Sequence, residues 1–370
     1  MQHPTCLVFN LDAAETPSLT AWAAQHPHIH LSLQTQRLSA ETLATYVAQH
    51  PQHRVEALSF CTAQPINQAL LAALPNLRLV LTRSTGYNHI DRAYLASRGI
   101  ALCNLRNYST QAVAEHTLWL MLSLAKHGVA QMALHQQLRQ PPHHLQRPNR
   151  VLGLELAGAT LGVIGLGATG QATLALAKTL GMRLLATSPT PRPADWLAER
   201  GIEQVALPTL LAKSNIISLH CPLNPHTEGL INASTLAQCK PSAMLINTAR
   251  GGLVDSAALL HALNHNQLAA AALDVLPTEA TLFTKPEHRP LWATTTTPET
   301  LPPHEQALRQ AFDSDIALLQ HPKVMHTPHT AFYTHTAVVA GVEQTLTSLT
   351  AWVTHPTEQP LPYQVLGDAP

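Results

Sequence analysis

The feature that most constrains this chain is the segment TLGVIGLGATG at residues 160–170. It starts as the short apolar run of a buried strand, passes through three glycines spaced G-x-G-x-x-G, and continues into a helical pattern. In this strand–turn–helix context the motif predicts dinucleotide binding, because the glycines permit a tight turn, a close approach of the pyrophosphate and close helix–strand packing. The residues predicted to bind the dinucleotide here are Gly165, Gly167, Ala168, Thr169 and Gly170.

The position of this motif limits the domain organisation. The chain has 370 residues, more than one ordinary core holds, and long stretches lie on both sides of the glycines. Either three domains stand in line, or one domain is split and the nucleotide domain is inserted into it. Apolar strand patterns alternate with helical ones throughout, which predicts an α/β fold with parallel sheets.

Composition excludes several classes of partner. The 22 basic and 22 acidic side chains balance, so the chain has no net positive charge to attract nucleic acid or an anionic membrane. No apolar run is as long as a membrane span. The N-terminal segment lacks a signal-like pattern, and the five cysteines form no C-x-x-C pair. We therefore expect a cytoplasmic protein that binds neither nucleic acid nor membrane.

Histidine is unusually frequent, with 23 residues. His261 and His265 lie four apart on a predicted helix, a spacing that can bring both rings to one face. No third ligand has a recognisable spacing to them. We therefore predict no metal site.

Polar residues follow several predicted strands downstream of the glycines. Arg250, Glu279 and His329 are in such places, where open parallel sheets bind their ligands. An arginine can hold a carboxylate, and a histidine supported by an acid can exchange a proton near neutral pH, which suits reduction of a 2-oxo acid. The same residues would also suit a structural ion pair, a surface acid and a cap, and the pattern alone leaves both interpretations open.

Seven segments, in this order along the chain, resemble motifs of the D-isomer-specific 2-hydroxyacid dehydrogenase family. They are RSTGYNHID (83–91), NYSTQAVAEHT (107–117), LGLELAGATLGVIGLGATG (152–170), IISLHCPLNPHT (216–227), MLINTARGGLVD (244–255), AALDVLPTE (271–279) and TPHTAFYT (327–334). The TAFYT ending, GMRLLA and SLHCPL are similar to the fermentative D-lactate dehydrogenase branch.

The resemblance implies two Rossmann-like or flavodoxin-like parallel-sheet domains with a deep cleft between them. Residues 1–107 and 330–370 would form the substrate domain, and residues 108–329 the inserted dinucleotide-binding Rossmann domain. It also implies a homodimer that pairs through the nucleotide domains, with the apolar helix HTLWLMLSLAKHGVA burying its surface there.

The resemblance also assigns residues. Arg250, Glu279 and His329 would be catalytic: Arg250 orients the oxo acid, and His329, supported by Glu279, protonates the carbonyl oxygen while the cofactor delivers hydride. Further positions would contact the substrate or the cofactor. For the substrate they are Thr85, Gly86, Tyr108 and Phe60, and for the cofactor, beside the glycine motif, they are Ser188, Arg192, His220, Cys221, Pro222, Thr227, Thr248, Ala249 and Asp274.

The chain departs from the family at the cofactor ribose. Ser188 stands where an acid usually ends the second strand and binds the ribose hydroxyls, and Arg192 follows four residues later. The cofactor is thus NAD(P), and we favour NADP because Ser188 does not repel a 2′-phosphate and Arg192 can pair with one. The alternative is that Ser188 binds the ribose of NAD and Arg192 is solvated.

Two further departures concern the substrate. The stretch between Glu279 and His329, with an insertion at 280–313, is longer than the family pattern. The part LWATTTTPETLPPHEQ (291–306) is predicted to be a loop, either covering the cleft or forming a surface insertion. Thr85 stands where phosphite-oxidising relatives have lysine, which disfavours phosphite. The expected substrate is pyruvate or a similar small 2-oxo acid; the alternatives are a glyoxylate or hydroxypyruvate reductase and a nucleotide-sensing corepressor-like regulator.

Overall fold

The computed structural model of the protein describes residues 3–61, 65–128, 130–132, 135, 152–284, 289–295, 297–354 and 360–365. The chain divides into two compact units. The split unit consists of Met1–Ser109 and Tyr333–Pro370, and the continuous unit of Thr110–Phe332. Each unit is built on one parallel sheet, so the predicted α/β fold class is confirmed.

The split unit has a five-stranded sheet in the order β2-β1-β3-β4-β5, which is the flavodoxin-like order. The strands are β1 Pro4–Val8, β2 His30–Leu33, β3 Arg54–Phe60, β4 Leu79–Thr82 and β5 Ala101–Cys103. The helices are α1 Thr16–Gln25, α2 Ala40–Gln49, α3 Gln68–Leu71, α4 Arg92–Ser97 and, from the second segment, α14 His335–Thr354. The inner strands are buried along nearly their whole length, from Val55 to Phe60 in β3 and from Leu79 to Thr82 in β4, as expected for a parallel sheet that is covered on both faces.

The continuous unit has a seven-stranded sheet in the order β12-β11-β10-β9-β6-β7-β8. The strands are β6 Thr160–Ile164, β7 Arg183–Thr187, β8 Ile202–Gln204, β9 Ile216–Leu219, β10 Met244–Asn247, β11 Ala270–Leu273 and β12 Val324–His326. The helices are α5 Thr110–Ala125, α6 Ala168–Thr179, α7 Ala194–Arg200, α8 Leu207–Lys213, α9 Ala233–Leu236, α10 Ser256–Asn264, α11 Glu279–Leu282, α12 Leu291–Thr294 and α13 Pro303–Gln320. Strand order reverses between β6 and β9, and the crevice at such a switch point is where open sheets bind ligands.

The segment predicted as a loop at 291–306 is partly helical. It contains α12, a 3₁₀ turn at Pro298–Thr300 and the first turn of α13. A proline at the first helical position and Glu305 in the first turn favour the start of α13, and the run of threonines and prolines before it obscured this signal. The guanidinium of Arg309 on α13 donates to the carbonyl of Thr295 at 2.7 Å, which ties the inserted segment to its own helix.

The sequence pattern predicts a helix from Ser109 to about Leu138, but α5 ends at Ala125. The segment RQPPHHLQRPNR (139–150), which is predicted to be a loop, lies outside the described residues. In the C-terminal segment, the amide of Val365 donates to the carbonyl of Leu102 at 2.8 Å, so this short stretch adds to the edge of the sheet at β5. Among the described residues, no helix is long and apolar enough to cross a membrane, and no group of His, Cys, Asp or Glu is arranged to hold a metal ion.

Candidate active site

The residues predicted for cofactor binding and catalysis in the continuous unit all follow the carboxyl ends of its strands. Because the strands are parallel, these ends share one edge of the sheet. Strand by strand they are Gly165, Gly167, Ala168, Thr169 and Gly170 after β6, Ser188 and Arg192 after β7, His220, Cys221, Pro222 and Thr227 after β9, Thr248, Ala249 and Arg250 after β10, Asp274 and Glu279 after β11, and His329 after β12.

The glycine turn has the geometry that a bound pyrophosphate requires. Gly165 has φ +109°, and a Cβ there would stand 2.6 Å from the carbonyl oxygen of His220. A Cβ on Gly170 would stand 2.0 Å from the carbonyl oxygen of Gly165, whereas a Cβ on Gly167 would meet nothing within 4 Å. Gly167 also begins α6 without a side-chain cap, so the first N–H groups of that helix have no acceptor within it. The turn thus fits a dinucleotide, with phosphates facing the helix N-terminus.

Arg192 lies against the glycine turn. Its guanidinium donates to the carbonyl of Leu166 at 3.0 Å and stands 5.6 Å from the ring centre of Trp196. Its Nε is buried without a hydrogen-bond partner among the described residues. Ser188 follows the last residue of β7, as expected for the ribose position. The structure thus brings the guanidinium to the loop that would hold the phosphates.

The loop after β9 is fixed by its own side chains. The hydroxyl of Thr227 donates to the carbonyl of Pro222 at 2.6 Å and accepts from the amide of Asn224 at 2.9 Å. A hydrogen bond of 2.9 Å joins His220 Nε2 and the hydroxyl of Ser218. Burial lowers the pKa of His220 from 6.5 to about 4, so the ring is neutral at neutral pH.

This neutral ring predicts acid sensitivity. Because the folded pKa of His220 lies below its ordinary value, its contribution to stability is full above pH 6.5 and is lost as pH falls towards about 4. His220→Gln should therefore lose less stability than the unmodified protein between pH 7 and pH 4.5, measured by urea unfolding. His226→Gln, which changes an exposed histidine in the same loop, is the control. An unchanged pH slope in His220→Gln would contradict the expectation.

The Arg250 loop is shaped by the end of β10 and by contact with the loop after β11. The side chain of Asn247 donates to the carbonyl of Arg250 at 2.9 Å and accepts from the amide of Ala249 at 3.0 Å. A Cβ on Gly251 would stand 2.1 Å from the carbonyl carbon of Leu276. Only glycine therefore allows this backbone to touch the loop that leads to Glu279.

Asp274 organises the loop that carries the candidate histidine. Its buried carboxylate accepts from the hydroxyl of Thr327 at 2.6 Å and from the amides of Thr330 and Ala331 at 2.9 and 3.1 Å. Its carbonyl accepts from the amide of His329, which has the uncommon φ of +53°. These hydrogen bonds fix the position of the His329 backbone, from which the imidazole projects. They also offset the free-energy cost of its left-handed conformation.

Glu279 and His329 form the central pair of this site. Nδ1 of His329 lies 2.9 Å from Oε1 of Glu279, and Oε2 of Glu279 accepts from the amide of Leu276 at 3.3 Å. The imidazole is partly exposed and the carboxylate largely buried. A ring held in this way by one nitrogen presents the other nitrogen to a ligand. The residues are 50 positions apart in sequence, and the fold brings them together.

In the split unit, the loop after β4 contains two backbone amides that are available to bind a ligand. The side chain of Asn104 donates to the carbonyl of Thr85 at 2.8 Å, and the hydroxyl of Ser84 donates to that of Gly86 at 2.7 Å. The amides of Thr85 and Gly86 donate to no acceptor within the described part of the chain. Such amides can receive a carboxylate.

Two further residues were expected to contact substrate. The ring of Tyr108 lies against α14, where a Cβ on Gly341 would stand 3.2 Å from Cδ2 of the ring. The expectation for Phe60 needs correction. Its side chain is 0% exposed and packs in the core with Leu58 and Val80, so it has no surface for a substrate to touch.

The comparison of sequences decides the family. The sequence profile described as D-isomer specific 2-hydroxyacid dehydrogenase, NAD binding domain, matches residues 118–331, more than half of the chain. The chain belongs to the D-isomer-specific 2-hydroxyacid dehydrogenase family. Members of this family are NAD-dependent oxidoreductases that act on the CH–OH group of hydroxy acids, and the resemblance predicted from the motifs is confirmed.

Full-length relatives refine this placement. The dehydrogenase is 30% identical over 349 residues to the D-lactate dehydrogenase of Treponema pallidum (strain Nichols), which covers 93% of this chain and 95% of that protein. The solved structure of D-lactate dehydrogenase from Aquifex aeolicus, complexed with NAD and lactic acid, is similar with a TM-score of 0.77 and 28% identity, covering 98% and 100% of the two chains. A partial match, 35% identical over 219 residues, is to the hydroxypyruvate reductase of Blautia hydrogenotrophica and covers 58% of this chain and 66% of that protein. The dehydrogenase thus falls in the D-lactate dehydrogenase branch.

Sequence reasoning missed two groups near the catalytic candidates of this dehydrogenase. The carboxylate of Asp315 on α13 is 0% exposed and accepts hydrogen bonds from Ser256 and Thr278. His116 on α5 lies 3.0 Å from the hydroxyl of Thr327, and burial lowers its pKa while Asp274 opposes that shift. Asp315 belongs to none of the quoted segments, and His116 lies in the segment 107–117 without a role that its position alone would reveal. Each contacts partners between 37 and 211 positions away.

Proposed function

We propose that this dehydrogenase interconverts a small 2-oxo acid, pyruvate or a close analogue, and the corresponding D-2-hydroxy acid. The observation that carries the proposal is the 2.9 Å pair of His329 and Glu279 at the carboxyl edge of the sheet. The continuous unit would hold the dinucleotide and the split unit the substrate. The cytoplasm is the compartment we propose, because its reducing conditions suit the five free cysteines.

The proton would come from His329. With Nδ1–H donated to the Glu279 carboxylate, the Nε2–H of the imidazolium is available for the substrate carbonyl oxygen. A nicotinamide cofactor, when bound, would supply the hydride that the carbonyl carbon receives. Nε2 of His329 would give its proton to the carbonyl oxygen, which would leave a neutral imidazole and the hydroxy acid. In the oxidative direction the neutral Nε2 accepts the hydroxyl proton. The hydrogen bond to the Glu279 carboxylate fixes the orientation of the ring.

The remaining substrate contacts would be made by a charged side chain and by backbone amides. We assign to Arg250 the orientation of the oxo acid through a charge-assisted hydrogen bond. The amides of Thr85 and Gly86 would receive its carboxylate, and Tyr108 would face the substrate. Phe60 has no part in this proposal because it is buried in the core.

The cofactor site would be formed by the glycine turn and the loops after β7, β9, β10 and β11. The glycines fit a pyrophosphate, as their geometry indicates. We assign the other contacts to Ser188, Arg192, His220, Cys221, Pro222, Thr227, Thr248, Ala249 and Asp274. For Asp274 the role would be indirect, since its carboxylate already accepts hydrogen bonds from the His329 loop.

A preference for NADPH is the finer proposal. Ser188 carries no charge to repel a 2′-phosphate, and the Arg192 guanidinium already lies at the glycine turn, with Nε unpartnered among the described residues. A charge-assisted contact is worth about 1.5–3 kcal/mol, or roughly a ten- to hundredfold preference. Arg192→Ala should therefore weaken NADPH and leave NADH nearly unchanged, and Ser188→Asp should favour NADH, as measured by Kd for each cofactor.

Arg200→Ala is the matched control for the cofactor experiment, because Arg200 also lies over the ring of Trp196. It separates loss of the Trp196 contact from loss of a phosphate ligand. A more than tenfold NADH preference in the unmodified protein, or an equal loss of both cofactors in Arg192→Ala, would show that Arg192 does not recognise the phosphate.

The test of function is a matrix of initial rates. NADH and NADPH are each combined with pyruvate, glyoxylate, hydroxypyruvate and 2-oxoisocaproate. Highest kcat/KM with pyruvate supports the proposal, whereas highest kcat/KM with glyoxylate or hydroxypyruvate supports the alternative that the hydroxypyruvate reductase relative suggests. Binding of a dinucleotide without turnover of any oxo acid would refute both and favour a regulatory protein.

We also propose a homodimer that pairs through α5. Trp119 and Leu122 are three positions apart on this helix and are 48% and 40% exposed, so they can form one apolar patch for a partner copy. We expect sedimentation to show twice the 40.0 kDa chain mass, and Trp119→Asp to shift the protein towards the monomer. Leu308→Asp, on the exposed side of α13, is the control and should leave the mass unchanged. A monomer at micromolar concentration would contradict the proposal.

A further inference from the structure

A buried carboxylate lies directly behind the two loops that carry the catalytic candidates. Asp315 is on α13 and is 0% exposed. Its Oδ1 accepts from the hydroxyl of Ser256 at 2.5 Å, and its Oδ2 accepts from both the amide and the hydroxyl of Thr278, at 2.9 and 2.6 Å. All three partners are donors, which suits an ionised carboxylate that uses its oxygens as acceptors only.

Each partner of Asp315 is close in sequence to a candidate catalytic residue. Thr278 immediately precedes Glu279 and is the N-cap residue of α11. Ser256 is the first residue of α10, six positions after Arg250. The two loops also touch directly, since Gly251 has no room for a Cβ beside Leu276. One carboxylate therefore ties the Glu279 loop to the end of the Arg250 loop.

Asp315 is close enough to Glu279 and His326 for their charges to affect one another. Burial raises the pKa of Asp315, the hydrogen bonds from Ser256 and Thr278 lower it, and the nearby charge of Glu279 raises it. On β12, burial lowers the pKa of His326, and the charges of Asp274, Glu279 and Asp315 oppose this. Breaking one side of such a buried arrangement leaves polar groups unpaired, so the loops have little freedom to shift while Asp315 is present.

We infer that Asp315 is a positioning residue, which holds the Thr278 backbone so that the Glu279 carboxylate stays on Nδ1 of His329. The inference rests on the proposed reductase function. The inserted segment 280–313 would also contribute to this role, because it leads to Asp315 along α13. Without the anchor, Glu279 would hold Nδ1 of His329 less firmly. A carboxylate hydrogen-bonded to an imidazole generally favours the charged form of the ring.

The first experiment compares Asp315→Asn with Asp313→Asn. Both remove one carboxylate from α13, but Asp313 is exposed and pairs with Arg309. In Asp315→Asn we expect kcat for 2-oxo acid reduction to fall by about tenfold to a hundredfold, the effect of a small misplacement. The pH at which kcat is half-maximal should also fall, with KM and NADH affinity nearly unchanged. Asp313→Asn should match the unmodified protein. A lower kcat and melting temperature with an unchanged pH midpoint would overturn the inference, because that is the result of a merely structural role.

A second variant separates positioning from the direct effect of charge. Thr278→Val keeps the size of the side chain and the Asp315 carboxylate, and it removes the hydroxyl that donates at 2.6 Å. We expect it to lower the pH midpoint in the same direction as Asp315→Asn, by a smaller amount. A normal midpoint in Thr278→Val together with a shifted one in Asp315→Asn would overturn positioning through Thr278.

A third measurement does not depend on turnover. The titration of the His329 ring is followed by NMR in the protein without ligands, with its signal assigned as the one absent from His329→Gln. We expect a lower titration midpoint in Asp315→Asn and no change in Asp313→Asn; equal midpoints would overturn the inference. If the unmodified protein reduces no 2-oxo acid, the proposed function fails, while this titration still decides the role of Asp315.

Discussion

His329→Ala should lower turnover of 2-oxo acids by about two to four orders of magnitude, the usual contribution of a positioned acid or base. The imidazole is the group that Glu279 holds at 2.9 Å, and methyl cannot donate the proton that the reduced oxygen requires. Cofactor affinity should barely change, because the glycine turn is unaffected. Stopped-flow measurement of single-turnover NADH or NADPH oxidation would show whether the chemical step has slowed.

The matched control for this variant is His335→Ala, which removes an exposed histidine at the start of α14. It should keep normal turnover. If His329→Ala also kept near-normal turnover, the proton would have to come from another donor, and the assignment of this site would fail.

Arg250→Ala should produce the second large effect, a fall in kcat/KM with a raised KM for the oxo acid. A charge-assisted hydrogen bond contributes about 1.5–3 kcal/mol, which corresponds to roughly a ten- to hundredfold loss. Arg250→Lys should recover only part of it, since lysine keeps the charge but lacks the planar fork of donors. Steady-state kinetics with pyruvate at saturating cofactor would measure both variants.

Arg54→Gln is the control for loss of a positive charge, because Arg54 is an exposed partner of Glu56 in the split unit. It should leave kcat/KM unchanged. A variant Arg250→Ala with normal KM and kcat would mean that Arg250 serves the structure alone, as one of the interpretations of the sequence allows.

The parts of the fold that were predictable from sequence are those with local causes. The strand before Gly165 and the helix after Gly170 follow from an apolar run and a glycine spacing that lie within about twenty residues, a range over which periodicity is informative. The strand ends that carry Arg250, Glu279 and His329 could be recognised for the same reason. Their roles stay predictions, although the 2.9 Å contact of Glu279 and His329 supports them.

The parts that were missed depend on contacts distant in sequence. Asp315 resembles any acid on an amphipathic helix until the fold brings it to Ser256, 59 positions away. For Asp274 the cofactor role stays a prediction, whereas its hydrogen bonds to the His329 loop, which span 53 to 57 positions, could not be recognised from the sequence. Phe60 was misplaced because an apolar residue at a strand end can face either a pocket or the core, and only packing decides between them.

The division of the split unit has a consequence for synthesis. In the finished protein, the Trp22 side chain donates a hydrogen bond to Thr350 on α14 at 2.7 Å. During synthesis, the N-terminal strands lack α14 until the whole continuous unit has left the ribosome. Translation proceeds at about 5–20 residues per second, so the roughly 220 intervening residues impose a wait of roughly 10–45 s. During that time the sheet face destined for α14 is open to chaperones and to other nascent chains. The inserted unit has no such delay, since all of its strands come from one uninterrupted stretch.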